Sequence, residues 1–120
     1  MAYSNDDVKE ALRRYEIVEK LVFVFEKSLE DPEISTFKQL LRALGNLSLA
    51  EKCAKEIIDS GFCKYEVQMI EVFNMYVNLD ENKLRLLKIA IDVFANLCSH
   101  KYNLPVMHKN EVTSTMIMLL

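Results

Sequence analysis

Two segments of the chain repeat one apolar pattern at an offset of 50 residues, Ile34–Leu47 and Leu84–Leu97. Each apolar position of the first segment coincides with an apolar position of the second, and Asn46 coincides with Asn96. Self-similarity of this length is the sequence signature of a helical-repeat architecture, in which neighbouring units stack and cover each other's apolar faces. The chain is therefore predicted to stack helical units.

A chance alignment is the ordinary alternative, because any two amphipathic helices share the 3.6-residue period. Against chance stand the shared Asn near both helix ends, the acidic turn before each helix, and a second match of Val67–Ile70 with Ile117–Leu120 at the same offset. The repeat thus extends beyond one helix.

Composition agrees with an all-α fold of a single unit. Of 120 residues, 51% are hydrophobic and 28% are charged, with only two Gly and two Pro. This is too apolar for a disordered chain and too poor in turn residues for a many-stranded β protein. The apolar spacing predicts five helices, from about Asp7 to Ser28, Pro32 to Ser48, Ala50 to Ser60, Phe62 to Tyr76, and Lys83 to His100.

Local signals set the predicted helix boundaries. Asp31 is expected to cap the second helix, with Pro32 in its first turn. Gly61 is expected to close the third helix in a left-handed conformation. The segment Asn78–Asn82 is predicted to be a polar turn before the last long helix.

Charge and cysteine usage exclude several classes of partner. The net charge is −3 and the pI is about 5.4, so there is no basic surplus for nucleic acid or an anionic membrane surface. No apolar run approaches the roughly 20 residues that span a bilayer. The three cysteines are an odd number without paired spacing and follow no signal-peptide pattern, which predicts reduced thiols in the cytoplasm or nucleus.

The segments Arg42–Ser48, Ala50–Gly61 and Val67–Ile70 resemble the armadillo repeat, whose pattern reads A-L-x-N-L, then a short helix ending D-x-G, then L-V-x-L-L. The resemblance implies a right-handed armadillo-like α-solenoid of about two to three repeats in one domain, 1–120. The units would be a partial repeat at 8–48, a full repeat at 50–99 and a partial repeat at 103–120. HEAT repeats share much of this apolar code, and Glu66 departs from it where the armadillo pattern prefers Leu.

In armadillo proteins the third helix of each repeat lines a concave groove, and the Asn of A-L-x-N-L binds the backbone of an extended peptide. The resemblance transfers that role to Asn46 and Asn96. Helical spacing groups each Asn with the polar residues one and two turns before it, which adds Lys38, Arg42, Lys88 and Asp92 to the candidate site. Arg42 and Asp92 stand where importin-like members carry Trp, so recognition of nuclear signals is disfavoured. For any one of these residues the ordinary alternative is a solvated helix face.

No catalytic arrangement, cofactor site or metal site is predicted. His100 and His108 are separated by Pro105, and Cys98 points away from the nearby His100 if both lie on one helix. The carboxylates Glu10, Glu51, Glu56 and Asp59 are scattered along polar faces, with no isolated apolar pocket apparent to raise the pKa of any of them. A protein with no enzymatic activity is therefore expected.

The expected function is a protein–protein interaction scaffold that binds an extended or helical peptide. The alternative is a self-associating structural module. The apolar ending Met116–Leu120 favours that alternative, since a solenoid needs a polar face on its terminal unit. That ending predicts either a piece of a longer solenoid or packing against a second copy. A helical bundle with a regulatory or enzymatic role is a third alternative.

Overall fold

The computed structural model describes residues 17–75 and 77–101, together with Asn5, Asp7, Val8 and Asn103. Those residues form helices and connecting turns, and no strand occurs among them, which confirms the all-α prediction. Five helices have defined bounds within these ranges: α1 Ile17–Ser28, α2 Ile34–Leu47, α3 Glu51–Asp59, α4 Phe62–Val72 and α5 Glu81–Cys98. The predicted partial repeat at 103–120 lies outside the described residues except for Asn103.

The predicted boundary before α2 is wrong by two residues. Helix α2 begins at Ile34, and Glu33 occupies the capping position without a side-chain hydrogen bond. Pro32 therefore precedes the helix, and Asp31 does not cap it. Helix α5 begins two residues earlier than predicted, at Glu81, because the Asp80 carboxylate accepts a hydrogen bond of 2.8 Å from the backbone N–H of Lys83.

Helix α4 ends at Val72 rather than at Tyr76. Asn74 adopts a left-handed conformation with φ 52°, and its backbone N–H donates to the carbonyl of Glu71. The N–H of Met75 donates to the carbonyl of Ile70, and the Met75 side chain is fully buried. This pair of hydrogen bonds with an apolar residue just beyond the end is the Schellman arrangement that closes helices.

The core is centred on an aromatic cluster that joins α1, α2 and α4. The Phe25 ring meets Phe37 at a centroid distance of 4.9 Å and Phe62 at 5.1 Å, both edge to face. Phe37 continues the cluster to Phe73 at 5.6 Å. Edge-to-face pairs add about 0.5–1.5 kcal/mol each beyond their burial, so the cluster fixes how α1 and α4 pack against α2.

Helices α2 and α5 pack side by side and run in the same direction. A Cβ atom added at Gly45 would lie 3.3 Å from Cγ2 of Val93, so Gly45 is where the helices approach closely. The Asn96 amide donates to the Gly45 carbonyl at 3.3 Å, and Nε2 of His100 donates to the Ser48 carbonyl at 2.8 Å. The residues in contact are about 50 positions apart in the sequence, which is the offset of the repeat. Equivalent positions of the two segments therefore lie next to each other.

Candidate functional site

An open depression of about 440 Å³ lies between α2 and α5, and we call it the groove. Gly45, which has no side chain, and the buried Val93 form its floor where the two helices meet. Polar side chains of both helices stand around this floor. The lining residues are Leu41, Arg42, Gly45, Asn46, Leu49, Ile89, Asp92, Val93 and Asn96.

Four of the six residues predicted for the site line the groove, two from each helix: Arg42, Asn46, Asp92 and Asn96. The remaining two, Lys38 and Lys88, do not line it. Lys38 is half-buried and Lys88 is exposed, each one turn before the charged groove residue of its helix.

The two asparagines have different surroundings despite their equivalent places in the repeat. The Nδ2 of Asn96 donates a hydrogen bond to the Gly45 carbonyl, so this amide joins α5 to α2. The Asn46 side chain is exposed and makes no hydrogen bond with the described part of the chain. Asn46 is therefore the amide that can offer both a donor and an acceptor to a ligand.

The charged residues of the groove are exposed and unpaired. Arg42 and Asp92 line the same depression from opposite helices, yet they form no ion pair with each other or with another described residue. By contrast, the exposed Arg85 pairs with Glu81 on the same helix at 2.6 Å. The groove thus presents one positive and one negative group to solvent.

Leu49 extends the groove toward the amino terminus of α3. Its side chain is 60% exposed, and it lines both the groove and a second depression of about 500 Å³. The other lining residues of the second depression are Asp7, Ala50, Glu51, Lys52, Cys53 and His100. The two depressions therefore adjoin at Leu49.

Sequence reasoning missed the buried carboxyl of Glu66. Glu66 on α4 is fully buried, and neither carboxyl oxygen has a hydrogen-bond partner. Burial raises the pKa of this carboxyl to about 8. The spacing of the buried residues Phe62, Cys63, Glu66 and Met69 places Glu66 on the apolar stripe of α4, and that spacing was the available signal.

Two cysteines lie near Glu66: Cys63 is buried and Cys98 is half-buried. Burial raises the pKa of the Cys63 thiol, and the charge of Glu66 raises it further. The pKa of Cys98 is raised by the same two causes. The cysteines form no disulfide with one another, and no cluster of three side chains suited to a metal ion occurs among the described residues.

Within the described part of the chain, every helix is too short or too polar to cross a membrane. A comparison with models of known protein families finds no match. Neither the curated proteins nor the solved structures include one with significant similarity to this chain.

Proposed function

We propose that this chain is an armadillo-like interaction scaffold that binds an extended peptide in the groove between α2 and α5. One observation carries the proposal: the side chains of Arg42, Asn46 and Asp92 surround a single depression and make no hydrogen bond or ion pair with the described residues. Exposed polar groups at a concave surface, with a floor of packed apolar residues, suit recognition of a peptide backbone and its side chains.

The pairing of α2 with α5 supports the repeat on which the proposal rests. In a stack of repeats, equivalent helices lie side by side in the same direction, and the contacts of Asn96 with Gly45 and of His100 with Ser48 have that arrangement. The three cysteines are all free, which suits a reducing compartment, so a location in the cytoplasm or nucleus is part of the proposal.

Peptide selection tests the proposal directly. The probe is a displayed random library of peptides of about 12 residues, which span about 40 Å when extended and so exceed any single groove. Selected peptides are synthesised, and their affinities are measured by fluorescence anisotropy with the native chain and with Asn46→Ala. Loss of one or two backbone hydrogen bonds predicts an affinity about two- to tenfold weaker for the variant.

Asn82→Ala is the matched control, because Asn82 is also an exposed helical asparagine but lies in the first turn of α5 outside the groove. Its affinity for the selected peptides should equal that of the native chain. Asn96→Ala is a poor probe of binding, since it also removes the bond to Gly45. Equal binding by the native chain and Asn46→Ala, or a library that yields no binder, would contradict the proposal.

A self-associating structural module is the second candidate, and the outer face of α1 favours it. Phe23 is 56% exposed and Val24 is 45% exposed, so two large apolar side chains adjoin on one helix. Such a face is stabilised when a second copy covers it. Light scattering should then show a mass that rises with concentration, and Phe23→Ser should abolish the rise. A constant monomer mass would reject this candidate.

A further inference from the structure

The groove contains one positive and one negative side chain at about the same level. Arg42 and Asp92 occupy equivalent places in the two repeated segments, and α2 and α5 run in the same direction. Both side chains are exposed, and neither has a charged partner in the described part of the chain. A ligand that contacts both helices therefore meets a positive charge on α2 and a negative charge on α5.

The distance between the helices sets the spacing of charges on such a ligand. Packed helices have axes about 8–10 Å apart. On a polyproline-like segment, residues i and i+3 lie on the same face about 9 Å apart. On a β-like segment, residues i and i+2 lie on the same face about 7 Å apart. Two ligand charges that meet Arg42 and Asp92 together are thus two or three residues apart.

We propose that the groove selects an extended segment that carries an acidic and a basic side chain two or three residues apart, the acidic one against Arg42 and the basic one against Asp92. This inference rests on the proposed function and specifies its ligand. Asn46 lies one turn after Arg42 on α2 and binds the backbone of the segment. Leu49 adds an apolar contact at the end of the groove.

The two charges also exclude other ligands. A segment of acidic residues alone brings a like charge to Asp92, and a segment of basic residues alone brings a like charge to Arg42. Repulsion against the wrong partner contributes to specificity as much as attraction to the right one. The groove therefore discriminates by the order of charges and not by the net charge of the ligand.

A charge exchange tests this order. The random library described above is selected separately on the native chain and on the double variant Arg42→Glu/Asp92→Lys, which keeps the net charge. Peptides from the native chain should be enriched in an acidic and a basic residue at the stated spacing and in one order along the segment. Peptides from the double variant should show the same spacing with the two charges exchanged along the segment.

Affinities of synthetic peptides complete the test. Each single reversal, Arg42→Glu or Asp92→Lys, should weaken a native-selected peptide about two- to fivefold, as expected for exposed ion pairs. Lys64→Glu, an exposed reversal on α4, is the control and should have no effect. Circular dichroism melts establish that each variant is folded.

The possible results separate this inference from the proposed function. If both pools lack the charge pattern, or show the same order, while Asn46→Ala still weakens binding, the inference is wrong and the groove remains a peptide site. If Asn46→Ala also has no effect, both are wrong. If binding falls in the single reversals and returns in the double variant with charge-exchanged peptides, the inference is established.

Discussion

Replacing Glu66 by Gln should make the chain more stable at neutral and alkaline pH. Glu66 is fully buried, and its two carboxyl oxygens have no hydrogen-bond partner, so its ionised form lacks both water and a counter-charge. Its pKa rises from an ordinary value of 4.5 to about 8. At about 1.36 kcal/mol for each pKa unit, the ionised form is disfavoured in the folded chain by on the order of 5 kcal/mol.

The sign of the pH dependence follows from the unfolded state. Below about pH 4.5 the carboxyl is protonated in both states and has no effect on stability. Between that value and about pH 8 the unfolded chain ionises Glu66 while the folded chain keeps it neutral, so folding becomes less favourable as pH rises. Above about pH 8 both states are ionised and the loss levels off. Glu66→Gln, which is neutral throughout, removes this slope.

Urea unfolding followed by far-ultraviolet circular dichroism measures the effect. From about pH 5 to pH 8 the native chain should lose on the order of 3 kcal/mol relative to Glu66→Gln, a large share of the stability of a small domain. Glu71→Gln is the matched control, because Glu71 is an exposed carboxylate on the same helix. If the difference between native chain and Glu66→Gln stays constant over this pH range, Glu66 is solvated or paired and the reasoning is refuted.

Substitutions at three further positions test the packing of the groove and its helices by the same unfolding assay. Gly45→Leu should cost about 1–3 kcal/mol, because even its Cβ would press on Val93 at 3.3 Å, and Gly45→Ala should cost less than half as much. Asn96→Ala should cost about 1 kcal/mol through the lost bond to the Gly45 carbonyl, and an unchanged midpoint would contradict that role. Asp80→Ala should cost about 1 kcal/mol by uncapping α5, whereas Asp80→Asn should retain most of the stability.

Apolar periodicity predicted the five helices because it reports which face each helix buries. The buried residues of α2 follow the three- and four-residue steps that were visible in the sequence: Phe37, Leu41, Leu44 and Leu47. Periodicity does not report where a helix stops. The end of α4 depends on Asn74 adopting a left-handed conformation, which an asparagine adopts more readily than most residues but does not require.

The groove was predictable in part for the same reason. Residues one turn apart on a helix share a face, so Arg42 and Asn46 were expected together, as were Asp92 and Asn96. The approach of α5 to α2 depends on which side chains meet at the helix contact, and the pattern of one helix does not contain that information. The groove begins at Leu41 on α2 and at Ile89 on α5, so Lys38 and Lys88 each precede its lining residues along their helix.

Asn46 and Asn96 show how packing can give two equivalent sequence positions different functions. Gly45 precedes Asn46 and lacks a side chain, so α5 comes close enough for the Asn96 amide to reach the Gly45 carbonyl. The corresponding residue before Asn96 is Ala95. One asparagine therefore joins the two helices, while the other remains available to a ligand. A repeat in sequence predicts which residues lie side by side, but the contacts between the units decide which of them is left to bind.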